Sequence, residues 1–180
     1  DGLLTFAFEN LGRPETHADP ATRSELVLGL AQASGWEGMA GGQQLDLEAE
    51  GAVQNIEDVE RIQALKTGAL IRFAAEAGAI LGRASTEERR AIVNFAEKLG
   101  LAFQIADDLL DATGDTAIVG KATGKDAAAG KATFISLLGV PAARQRLARL
   151  EAEAISALAV FGTRASVLQE AARFVSRRGS

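Results

Sequence analysis

Apolar positions recur at helical spacing along most of the chain, and no stretch sustains the two-residue alternation of a strand. The pattern begins at once, and residues 1–11 read as a first helix. Residues 13–21 form a loop with Pro14, Pro20 and the single histidine, His17. Thr22 and Glu25 have capping-box spacing, which predicts a long second helix reaching about Glu48. Asn55 and Asp58 predict another start, with a helix or broken helix pair over 56–83. Ser85 and Glu88 form a third capping box, opening a long helix whose regular pattern ends at Gly114. Residues 116–131, with three glycines and three lysines, read as a loop, followed by a short apolar piece at 132–138. Pro141 suits the first turn of the next helix, which runs to about Phe161. Gly162 stops it, and a last helix covers about 164–177. With no internal repeat and no dividing linker, the pattern predicts one all-α domain over residues 1–180.

One helix carries an unusual polar stripe. Residues 103–111 read FQIADDLLD. At about 100° per residue, Gln104, Asp107, Asp108 and Asp111 fall within roughly 100° of one another. Glu97 and Asp115 share the arc, and Leu99, Leu101, Phe103, Ile105, Ala106, Leu109 and Leu110 fill the rest. Carboxylates one turn apart repel, and no Lys or Arg in the stripe relieves them. A divalent cation would, and Mg²⁺ favours one or two carboxylates together with water and phosphate oxygens. The same pattern also describes a solvated surface helix with one acidic face, and the stripe alone leaves both readings open.

Composition narrows the classes. Hydrophobic residues make up 47% of the 180, enough for a real core. A net charge of −5 speaks against a nucleic-acid binder working through a broad basic surface. The absence of Cys excludes disulfides and thiolate metal sites and fits a cytoplasmic protein. No apolar run approaches the roughly 20 residues of a membrane span. Asp1 to Phe8 begins inside an apolar helical pattern without a cap, so the chain reads as starting in mid-fold.

Five of the 19 basic residues are lysines: Lys66, Lys98, Lys121, Lys125 and Lys131. Three lie in the glycine-bearing loop after the acidic helix. A lysine ammonium is a compact point charge suited to phosphate oxygens. The loop and the acidic helix could together hold a metal–diphosphate group, or the loop is a solvated basic segment. Lys66-Thr67-Gly68 sits mid-helix, where Thr and Gly are poor choices. It marks either a kink that turns polar groups toward a pocket or a plain helix break. Gly41-Gly42 allows close backbone approach, and Gln43 and Asp46 stand three residues apart beyond it. Trp36 reads as a packing residue, and His17 has no assignable role.

In order and spacing, GMAGGQQLDLEAEG (38–51), KTGALIRFAAEAGAILG (66–82), LGLAFQIADDLLDATGD (99–115) and GKATGKDAAAGKATFISLLG (120–139) resemble the trans-isoprenyl diphosphate synthases, also called polyprenyl synthetases. The likeness is greatest to short-chain bacterial farnesyl and geranylgeranyl diphosphate synthases. It implies an isoprenoid-synthase helical bundle around a central cavity. It implies Mg²⁺ as cofactor, held by Asp107, Asp108 and Asp111 against an allylic diphosphate, with Asp46 facing a further metal site. Lys66, Lys121 and Lys131 would bind diphosphate. Thr67 and Gln104 would lie near the reacting carbon, with Phe103 lining the pocket beside Gln104. Gln43 and Asp46 match the family's Gln-x-x-Asp, and Asp126 its loop aspartate, with Lys125 beside it. The implied reaction ionises the allylic diphosphate, adds isopentenyl diphosphate and loses a proton, in a cytoplasmic homodimer.

The sequence also departs from that family. Its first Asp-rich motif and the upstream Lys, Arg and His that would bind isopentenyl diphosphate are absent from these residues. The bundle is therefore expected to lack its amino-terminal helices, and the chain alone to have little synthase activity. A non-catalytic partner subunit that uses the same scaffold is the alternative reading.

Overall fold

The computed structural model describes residues 2–113 and 132–178, and these form helices without a strand among them. In chain order they are α1 (Gly2–Gly12), α2 (Pro20–Ser34), α3 (Met39–Glu48), α4 (Ile56–Gln63), a π-helical turn (Ala64–Gly68), α5 (Ala69–Leu81), α6 (Thr86–Thr113), α7 (Phe134–Leu138), α8 (Val140–Ala157), a 3₁₀ segment (Ala159–Ala165) and α9 (Ser166–Arg178).

Two of the three expected capping boxes form. Asn55 and Asp58 exchange side chain-to-backbone bonds at the start of α4. Ser85 and Glu88 do the same at α6, at 2.9 and 3.2 Å. The third does not. Asp19 caps α2 instead, accepting from the Ala21 N–H at 3.0 Å, with Pro20 in the first turn. Thr22 Oγ1 is drawn to Asp19 Oδ2 at 3.2 Å.

The long second helix predicted to Glu48 is two helices, broken over residues 35–38. Gly38 shows why: a Cβ there would lie 2.2 Å from the Ala33 carbonyl oxygen, a contact only glycine escapes. The break also corrects the expectation for Trp36, which is 85% exposed. At the other end, α8 stops at Ala157 rather than Phe161, and Gly162, with φ of 55°, turns the 3₁₀ segment toward α9.

The 28-residue α6 is the hub. One side packs Ile105 and Leu109 against Phe134 of α7 and Ala143 and Leu147 of α8. Nearer its start, Phe95 and Ala96 meet Ala154, Leu158 and Ala172 of α8 and its sequel. A third cluster joins Leu26 and Leu30 of α2 to Phe73 and Ala77 of α5. Each fully buried Ile, Leu or Phe contributes about 1.5–3 kcal/mol. Of its polar stripe, Gln104, Asp107 and Asp108 line the remaining gap, together with Asp46 of α3, Lys66 of the π-turn and Thr133 at the start of α7.

Candidate functional site

The site begins with the π-turn. Thr67 and Gly68 are poor helix formers, and neighbouring backbones close in on them. A Cβ at Gly100 of α6 would sit 3.1 Å from Gly68 Cα, and one at Gly42 of α3 only 2.2 Å from the Lys66 nitrogen. The extra residue of a π-turn rotates the side chains that follow, a device frequent at functional sites. Here it presents Lys66 and Thr67. Of the two readings left open for Lys66-Thr67-Gly68, a kink or a plain helix break, the structure has the kink, as this turn.

Lys66 Nζ donates to Asp46 Oδ2 of α3 at 2.8 Å, and the Asp46 side chain is only 11% exposed. Thr67 Oγ1 makes a long hydrogen bond of 3.5 Å to Gln104 Oε1. The other end of that amide, Gln104 Nε2, donates to Asp108 Oδ1 at 2.9 Å. Asp108 is buried, and its Oδ2 accepts the Phe134 backbone N–H at 2.9 Å. Asp46, Gln63, Lys66, Gln104, Asp107 and Asp108 line one polar cavity of ≈ 250 Å³. A second, more apolar cavity of ≈ 350 Å³, lined by Leu65, Ala69 and Leu101, holds none of these polar groups.

The acidic stripe is therefore split in its surroundings. Asp108 ties α6 to α7. Asp107 is exposed and Asp111, one turn on, is half-buried. Among the described residues no three Asp, Glu, His or Cys side chains converge on a point that could hold a metal ion. Mg²⁺ needs only one or two carboxylates, with water or phosphate oxygens completing the octahedron. Asp107 and Asp111 stand one helical turn apart, a donor set of the size that ion takes.

The other predicted residues divide. Gln43 is half-buried on α3 and is not among the residues lining the polar cavity. The Phe103 ring, expected beside Gln104, lies under the Arg178 guanidinium at 5.4 Å. Next to Gln104 in sequence, it points about 100° away around the helix. Lys121, Lys125, Asp126 and Lys131 fall outside the described residues. Two residues were not foreseen. Gln63 precedes Lys66 by three positions on the same helical face, and that spacing could have found it. Arg178 reaches Asp107 from the far end of the chain, and no local pattern signals that.

Residues 4–159 match the family model described as Polyprenyl synthetase. The chain is 45% identical over 150 residues to the farnesyl diphosphate synthase of Escherichia coli, covering 81% of this chain and 50% of that protein. To the farnesyl diphosphate synthase of Geobacillus stearothermophilus it is 40% identical over 149 residues, with 82% and 50% coverage. Its fold superposes on the crystal structure of an FPP/GFPP synthase from Zymomonas mobilis with a TM-score of 0.85 at 45% identity, covering 97% of this chain and 58% of that one. A geranyltransferase from Helicobacter pylori, solved with magnesium and isoprenyl diphosphate, gives 0.79 at 30% identity, with 95% and 55% coverage. The chain spans about half the length of the curated relatives it matches.

Proposed function

Because this chain belongs to the polyprenyl synthetase family, we propose that it carries the diphosphate-gripping part of a Mg²⁺-dependent prenyltransferase. The reaction joins isopentenyl diphosphate to an allylic diphosphate and yields farnesyl or geranylgeranyl diphosphate. The observation that supports this most is the gathering of Lys66, Gln104 and Asp107 around one small polar cavity, with Lys66 already held by Asp46.

The geometry of the described residues supports these roles. Asp107 and Asp111 would hold Mg²⁺, which when bound neutralises charge growing on the departing diphosphate. Lys66 places an ammonium against the diphosphate oxygens, and its bond to Asp46 fixes that ammonium beforehand. Pre-oriented donors aimed at developing charge cost no reorganisation during the reaction. When the allylic C–O bond breaks, its electron pair leaves with the diphosphate. Thr67 Oγ1 and Gln104 Oε1 offer oxygen lone pairs to the positive carbon left behind. The double bond of isopentenyl diphosphate then forms the new C–C bond, and a proton is lost to restore neutrality. Asp108 holds the Gln104 amide in place throughout. Lys121 and Lys131, which lie outside the described residues, are assigned to the same diphosphate by the family resemblance alone. A homodimer in the cytoplasm is the proposed setting, and α1 and α2 leave Leu3, Phe6 and Leu28 exposed for an apolar interface. No described helix is long and apolar enough to cross a membrane.

Calorimetric titration with a bisphosphonate, with and without Mg²⁺, tests the reading. Binding should require Mg²⁺, and Lys66→Ala or Asp107→Ala should each weaken it by about tenfold or more, the value of a hydrogen bond to a charged group. Metal-independent binding, or wild-type affinity in both variants, would overturn it.

A further inference from the structure

Arg178 closes the last turn of α9, and among the described residues its guanidinium meets two side chains of α6, Phe103 and Asp107. The group lies over the Phe103 ring, 5.4 Å from the centroid, within the range of cation–π attraction. Its Nη2 is 3.9 Å from Asp107 Oδ1. That is too long for a hydrogen bond, so what acts on the carboxylate is charge alone. Both side chains remain open, at 40% and 54% exposure. The aromatic ring therefore fixes where the positive charge sits, and Asp107 feels that charge without being enclosed by it.

We propose that Arg178 is a positioning residue for Asp107: it supplies the counter-charge while no divalent cation is present and opposes such a cation when one binds. The inference rests on the reading that Asp107 takes a divalent cation. The physical reason is linkage. Two cations that both favour one carboxylate compete, whether Arg178 swings away or stays and repels the newcomer. An exposed ion pair of this kind is weak, so it tunes the affinity rather than blocking it, by about two- to five-fold.

The test uses Mn²⁺ alone as the probe, on the whole chain, with free Mn²⁺ read by electron paramagnetic resonance. Arg178→Ala should lower the Mn²⁺ dissociation constant about two- to five-fold. Arg164→Ala is the control. It removes the same charge from a side chain paired with Glu88, near the opposite end of α6, and should leave the constant unchanged. A merely structural role for Arg178 would not tighten metal binding. An unchanged or weaker constant in Arg178→Ala, or equal tightening in Arg164→Ala, overturns the proposal. Asp107→Asn separates the two levels of inference. If it abolishes Mn²⁺ binding while Arg178→Ala does nothing, the metal site stands and the role of Arg178 falls. If it leaves Mn²⁺ binding intact, the site assignment fails and the proposal fails with it.

Discussion

Gly42→Ala is a one-carbon change that reaches the site through the backbone. The new Cβ would lie 2.2 Å from the Lys66 nitrogen, 2.7 Å from Lys66 Cα and 2.7 Å from Leu65 Cβ. Carbon contacts are comfortable at about 3.5–4.0 Å, so α3 and the π-turn must part by roughly 1 Å. Two of the three obstructing atoms are backbone and have no rotamer to change. Overpacking costs about 1–3 kcal/mol, and this case belongs at the upper end. Exchanging Gly for Ala inside a helix returns about 1 kcal/mol, leaving a net loss of about 2 kcal/mol. The same separation stretches the 2.8 Å bond between Lys66 and Asp46, so bisphosphonate affinity should fall along with stability. Urea unfolding followed by far-ultraviolet circular dichroism, extrapolated linearly to water, reads the first effect, and calorimetry the second. Gly78→Ala is the matched control. It lies within α5 with nothing within 4 Å of its Cβ position, and should gain up to about 1 kcal/mol. If Gly42→Ala is as stabilising as Gly78→Ala, the close approach of α3 to the π-turn is wrong, and the account of how Lys66 is positioned goes with it.

Two further predictions concern how the ends of α6 are held. Asp108→Asn sets an amide NH₂ against either Gln104 Nε2 or the Phe134 N–H, both donors at 2.9 Å. It should cost about 1.5–3 kcal/mol and raise hydrogen exchange at the Phe134 amide, and wild-type exchange there would refute the brace. At the other end, the Ser85 backbone N–H, and after it Arg164, hold the Glu88 carboxyl below its ordinary value of 4.5. A carboxyl with a lowered folded-state pKa stabilises fully above its unfolded value and loses that contribution as pH falls through the folded one. Glu88→Gln should therefore flatten the part of the stability–pH curve below about pH 4.5, and superimposable acid limbs for the two proteins would contradict the cap.

The features legible from the chain were those decided within a few residues. The starts of α4 and α6 could be read because donor and acceptor stand three positions apart. At Lys66-Thr67-Gly68 two poor helix formers interrupt a strong pattern, which marked an irregularity without telling a kink from a plain break. The break between α2 and α3 did not show. Apolar spacing continues across it, and what demands glycine at 38 is the nearness of the Ala33 carbonyl, a fact of the folded backbone. The acidic stripe could not be resolved from within α6 either. Asp107 and Asp108 are adjacent and chemically identical, yet one is exposed and the other buried. They point about 100° apart around the helix, and the partner of the buried one, the Phe134 N–H, stands 26 positions further on.

The polar groups of the cavity form a chain of dependence rather than a cluster. Phe134 of α7 donates to Asp108, Asp108 holds the Gln104 amide, and Gln104 accepts from Thr67 in the π-turn. Beside Thr67, Lys66 is held by Asp46 of α3. Four elements distant in sequence are thus joined through side chains whose donors and acceptors are used in only one direction. The Gln104 amide must present its oxygen to Thr67, because Asp108 can only accept. That choice sets an oxygen, and not an N–H, beside the hydroxyl proposed to face a developing cation. A Glu in place of Gln104 would set a second carboxylate against Asp108, and a Leu would remove the Nε2 donor that Asp108 Oδ1 accepts from. The Gln104 amide satisfies both neighbours at once, one end donating and the other accepting.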